Sequence, residues 1–154
     1  MKVSKISLSQ IRQFLDAKKM AVAGVSRNPK KFGYQAFKAL QGQGYELFPL
    51  NPNATEIDNL QAYSTISQLP EEVKHLVILT PKTETEKLVM EAIAHGIDHI
   101  WIQQMSDTPE AIKIASEAGV CLVTRQCIFM WVEPVTGIHK VHRSIKKFFG
   151  LLPR

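Results

Sequence analysis

Cysteine is scarce in this chain of 154 residues: there are two, Cys121 and Cys127. Two thiols cannot build a disulfide framework, and their spacing is not that of a metal site. Long apolar runs are missing as well. No segment approaches the roughly 20 apolar residues needed to cross a bilayer, and Ser and Gln interrupt residues 1–16, which therefore lack the apolar centre of a secretory leader. Charge of neither sign forms a block. Lys and Arg number 19 against 14 Asp and Glu, a formal charge of +5, and before the last fifteen residues no basic stripe is interleaved with aromatics. The excess favours an anionic partner without singling out nucleic acid. A Ser–His–Asp arrangement, paired carboxylates and a metal cluster at interpretable spacing are also lacking. The expectation is one domain in a reducing cytoplasm, with no membrane partner and no recognisable catalytic centre.

Hydrophobic residues make up 45% of the chain, enough for one good core at this length. Apolar runs and helical periodicities alternate along it. Ser7 to Ala17 reads as a helix with Ser7 as cap, Lys19 to Val25 as a buried strand, and Gly33 to Gln43 as a helix. Tyr45 to Leu50 is the second strand, 51–64 an irregular crossover, and Ile66 to Leu69 one helical turn. His75 to Leu79, Ile97 to Ile102 and Val120 to Val123 follow as strands. Between them, one helix opens at Thr80-Pro81-Lys82, and another runs from Asp107 to Glu117 with Asp107 as cap. This rhythm predicts a doubly wound, mostly parallel five-stranded sheet in three αβα layers, one domain over 1–154.

Ligands of such sheets sit outside the carboxyl ends of the strands. The loops there are Ser26 to Lys31, Asn51 to Asn53, Thr80 to Lys82 and Gln103 to Met105. They supply Arg27, Lys30, Lys31 and Lys82 and contain no carboxylate, which points to a phosphate-bearing nucleotide. A nicotinamide dinucleotide fits poorly. Its fingerprint needs three glycines after the first strand and an acid after the second, whereas here Gly24 stands alone, Ser26 takes the second glycine's place, and Asn51 ends the second strand.

The segments Gly24 to Tyr34, Pro49-Leu50-Asn51-Pro52, Glu56-Ile57, Ile78-Leu79-Thr80-Pro81, Ile100-Trp101-Ile102-Gln103 and Cys127 occur in order. Together they resemble the small single-domain CoA-binding proteins, whose Rossmann-like fold is shared with the CoA-binding domain of the succinyl-CoA synthetase α subunit. The resemblance covers about Lys19 to Glu133 and implies coenzyme A or an acyl-CoA as ligand. It places Gly24, Val25, Ser26, Arg27 and Lys31 at the phosphates and Asn51 and Pro52 at the adenine or ribose. Thr80 and Pro81 would border the pantetheine path, with Gln103 and Cys127 near the thiol end. The family often carries a basic residue after Asn-Pro; here it is Asn53, and Lys30 or Lys82 is the cation available instead. The implied role is carrier, sensor or thiol protection. The alternative is an NAD(P)-dependent oxidoreductase or an acyl transferase using Cys127.

The stretch 137–150 places Ile138, Val141, Ile145 and Phe148 on one face of a basic amphipathic helix. It is expected to pack on the domain, in a homo-oligomer or on a protein partner, with a membrane surface as the alternative. His139 and His142 lack a third ligand for a metal.

Overall fold

The computed structural model describes residues 5–132; the expectations for 137–150, His139 and His142 lie outside them. The first helix, α1 (Leu8–Asp16), is capped by Ser7 as expected, and Gln10 completes a capping box: Ser7 and Gln10 each accept from the other's backbone N–H. It leads into β1 (Lys19–Ala23), α2 (Phe32–Gly42) and β2 (Glu46–Leu50). The crossover called irregular from sequence contains a short hairpin, β3 (Glu56–Ile57) with β4 (Leu60–Gln61). Its turn is Asp58-Asn59, both at positive φ, as a two-residue hairpin loop requires. Asp and Asn tolerate that conformation, which is why no glycine marks the turn in the sequence.

A 3-10 turn at Ile66–Gln68 precedes β5 (His75–Ile78), α3 (Lys82–His95), β6 (His99–Gln103), α4 (Pro109–Glu117) and β7 (Cys121–Gln126). The predicted cap of α4 shifts by one residue. Thr108, not Asp107, accepts from the Ala111 N–H at 3.0 Å, with Pro109 opening the helix. A hydroxyl directly before the proline reaches that amide, whereas the Asp107 carboxylate lies 4.0 Å from Arg125 Nε. The fifth strand of the sheet is also longer than expected. Polar Thr124 and Gln126 continue β7 because both are buried among sheet neighbours.

The five-stranded sheet runs β2-β1-β5-β6-β7, all parallel. Alternation along the strands divides the core. Val22, Val77, Trp101 and Val123 face one layer with Ile11 and Phe14 of α1 and Phe37 of α2. Ala21, Leu76, Ile78, Ile100 and Ile102 face the other with Val89 of α3 and Ala115 of α4. Phe14 meets Trp101 edge-on at 5.6 Å, seating α1 on the sheet centre. Removing a buried Leu or Ile such as Leu76 or Ile100 would cost about 2–5 kcal/mol. The edge strand β2 contains Pro49, tolerated there because an edge has an unpaired side. Tyr63 covers that edge, donating to Pro49 O at 2.8 Å and accepting from Asn51 N at 2.9 Å.

Candidate functional site

From β1 the chain steps sideways to β2, then returns across the sheet to β5 on the other flank of β1. The connections thus diverge between β1 and β5, opening a crevice at their carboxyl ends. Gly24 follows β1 and Leu79-Thr80 follow β5, in close contact. A Cβ on Gly24 would lie 2.8 Å from the Leu79 carbonyl carbon and 2.9 Å from Thr80 N, and its φ is +90°. Only glycine meets both conditions.

The loop beyond Gly24 organises itself. Ser26 Oγ accepts from Asn28 N at 3.0 Å, Asn28 Oδ1 from Lys30 N at 3.0 Å, and Asn28 O from Lys31 N at 3.0 Å. These turns hold the backbone while Arg27, Lys30 and Lys31 remain exposed. Helix α2 then starts behind Lys31 with no side-chain cap and no acid in its first turn. Gly33 in that turn is a residue that sequence reasoning missed. A Cβ there would sit 2.0 Å from Gly24 O, so the missing side chain lets α2 lie directly against the exit of β1. This is the task of the fingerprint's third glycine, performed at longer spacing. Its signal in the sequence was a glycine inside a helix, where it costs stability unless a close approach demands it.

At the end of β2, Asn51 Nδ2 donates to Val25 O at 2.9 Å and Oδ1 accepts from Asn53 N at 2.7 Å. Both ends of the amide are engaged by the chain itself. Pro52 and Asn53 are exposed beside it. At the end of β5, Thr80 is buried, its carbonyl accepts from Ser106 Oγ at 2.7 Å, and its Oγ1 has no hydrogen-bond partner. Thr85 Oγ1 donates to Ser106 O at 2.7 Å, tying the start of α3 to the β6–α4 loop. Helix α3 starts behind Pro81 without a side-chain cap, with Lys82 exposed. One carboxylate does stand here, Glu84 in the first turn of α3, just past the loop limits set from sequence.

Gln103 and Cys127 lie farther along the same sheet edge. Gln103 pairs in register with Gln126, and its Oε1 accepts from Ile128 N at 3.0 Å, so the two predicted positions adjoin. A bulge at the end of β7, with Arg125 at φ +60°, turns the chain there. It returns through a 3-10 turn, Ile128–Met130, whose Phe129 meets Phe32 of α2 edge-on at 5.3 Å. Cys127 is 2% exposed, and a thiol that acts as a nucleophile needs access to its partner. The predicted residues therefore form two neighbouring groups: Gly24 to Lys31, Asn51-Pro52 and Thr80 to Lys82 around the crevice, and Gln103 with Cys127 beyond β5. Among the described residues there is no cluster of side chains suited to a metal and no helix long and apolar enough to cross a membrane.

Comparison with known proteins bears on this edge. The chain is 26% identical over 147 residues to the α subunit of acetate–CoA ligase [ADP-forming] II of Pyrococcus furiosus, covering 88% of this chain and 30% of that subunit. It thus spans under a third of that relative's length. It is 25% identical to the uncharacterized protein YneT of Bacillus subtilis, over 79% of this chain and 91% of that one. Among solved structures, a conserved hypothetical protein from Pyrococcus furiosus superposes with a TM-score of 0.69 at 33% identity, covering 71% of this chain and 95% of that chain. Residues 18–132, which contain the whole sheet and its crevice, match the CoA binding domain, and the chain belongs to that family.

Proposed function

We propose that the chain binds coenzyme A or an acyl-CoA across the carboxyl ends of β1 and β5, as a carrier, sensor or thiol-protecting protein without a catalytic centre of its own. The observation that carries this reading is the pair of helix N-termini at the crevice without side-chain caps, α2 behind Lys31 and α3 behind Pro81. Helices α1 and α4, by contrast, are capped by Ser7 and Thr108. Each uncapped end presents free N–H groups and roughly half a positive charge. Of the two, α2 is the stronger anion site, because Glu84 offsets part of the field at α3 and three cations stand beside α2.

A diphosphate suits that end of the crevice. In this reading Gly24, Val25 and Ser26 offer backbone N–H groups, and Arg27, Lys30 and Lys31 meet the phosphates. The Asn51 backbone and Pro52 border the nucleoside. Thr80, Pro81 and Lys82 flank the pantetheine path, which leads toward Gln103 and Cys127. The ligase subunit related to this chain is named for acetate and CoA, which supports CoA as the ligand. An acyl transferase using Cys127 would require the buried thiol to open.

Thermal unfolding with CoA, acetyl-CoA, NAD and NADP tests the reading. A ligand at a hundred times its dissociation constant stabilises the fold by about 2.7 kcal/mol. CoA or acetyl-CoA is expected to raise the melting temperature while NAD and NADP leave it unchanged. Stabilisation by NAD alone would overturn the proposal.

A further inference from the structure

Asn51 stands where a dinucleotide-binding chain carries the acid that holds the ribose diol. Its amide is turned the other way, onto the chain. Nδ2 donates to the Val25 carbonyl at 2.9 Å, and Oδ1 accepts from Asn53 N at 2.7 Å. We infer that Asn51 is a positioning residue, which aims the phosphate loop by fixing the Val25–Ser26 peptide and does not itself read the nucleoside. The inference rests on the CoA-binding reading above and goes beyond it by assigning how the loop is held.

A trans peptide is planar, with its C=O and N–H on opposite sides. Strand β1 lies between β2 and β5, and Asn51 follows β2. Tying the Val25 carbonyl toward β2 therefore directs the Ser26 N–H toward the β5 side, where the crevice opens. Without the tie the peptide is free to rotate and present its carbonyl, whose negative end repels a phosphate. Only a donor at position 51 makes the tie. A carboxylate has no proton to give at neutral pH, so the acid of a dinucleotide site and this clamp exclude each other at one position. The clamp itself is anchored, because the Asn51 N–H donates to Tyr63 O at 2.9 Å on the covered edge of β2.

The test is calorimetric binding of CoA, ADP and adenosine to the full chain and to Asn51→Asp, which keeps the shape and the acceptor for Asn53 N but removes the donor. Asn51→Ala, a neutral variant, separates loss of the donor from gain of charge. Unfolding midpoints establish that both variants are folded. The lost hydrogen bond is expected to raise the CoA and ADP dissociation constants together, by about tenfold. Adenosine, which has no phosphate, is expected to bind both variants as it binds the parent. Equal losses for adenosine and CoA would mean that Asn51 touches the nucleoside, and the inference would fall. Unchanged CoA binding in both variants would overturn it too. Absence of CoA binding by the parent chain is the distinct outcome that removes the CoA reading and the inference with it.

Discussion

Gly33 shows how far one absent methyl group controls this site. In most helices, replacing glycine by alanine gains up to about 1 kcal/mol, because the backbone loses less entropy on folding. Here the added Cβ would lie 2.0 Å from the Gly24 carbonyl oxygen, a backbone atom that cannot swing aside. The clash outweighs the propensity gain. Gly33→Ala is expected to lower stability by about 1–3 kcal/mol, the usual cost of overpacking, and to push the α2 N-terminus out of the crevice. Urea unfolding reads the first effect and CoA titration the second. A variant as stable as its parent, with undiminished CoA binding, would show that α2 does not depend on this contact. Gly24 was legible in the sequence because it breaks an apolar run. Gly33 was not, because what it touches is the carbonyl of a residue brought close only by the fold.

Among the elements, strand register creates a feature at the edge opposite the crevice. His75 of β5 pairs with His99 of β6, and their rings stack at 4.2 Å. Phe14 of α1 closes over His75 edge-on at 5.3 Å, while Asp98 Oδ1 lies 2.7 Å from His99 Nδ1. Burial first, and the neighbouring His99 second, push the His75 imidazole down to about 4 from its ordinary 6.5, against the opposing pull of Asp98. The unfolded chain therefore binds more protons than the native one between those values. Stability is full above about pH 6.5 and declines as pH falls toward 4. The urea midpoint is expected to be lower at pH 5 than at pH 7.5, and His75→Gln to flatten that dependence. An equal slope in the variant would assign the acid sensitivity elsewhere. The strands themselves were readable as apolar runs. The hairpin at Glu56–Gln61 was not, since Asp58-Asn59 turns without glycine and each strand has two residues. The end of β7 escaped detection because Thr124 and Gln126 are polar yet buried.

At the scale of the whole molecule, the alternation of strands and helices made the doubly wound sheet legible, and sheet topology then determines where its crevice must lie. Most of the predicted site residues follow from that one rule, since the loops after β1, β2 and β5 meet at the divergence of connections. The roles of individual residues were less legible, because a sequence does not show which polar groups are already engaged. The resemblance places Asn51 at the nucleoside, and the structure adds that both ends of its amide are engaged, by Val25 O and Asn53 N. For Cys127 the structure adds its burial, which governs access to the thiol. In the proposed complex CoA lies across the carboxyl ends of β1 and β5. Amide NMR of the full chain titrated with CoA tests that placement. Saturable shifts are expected, concentrated at Gly24 to Lys31, Asn51 to Asn53, Thr80 to Lys82 and Gln103, with His75 and His99 unmoved. Shifts centred on the His75–His99 edge, or no shifts at saturating CoA, would contradict it.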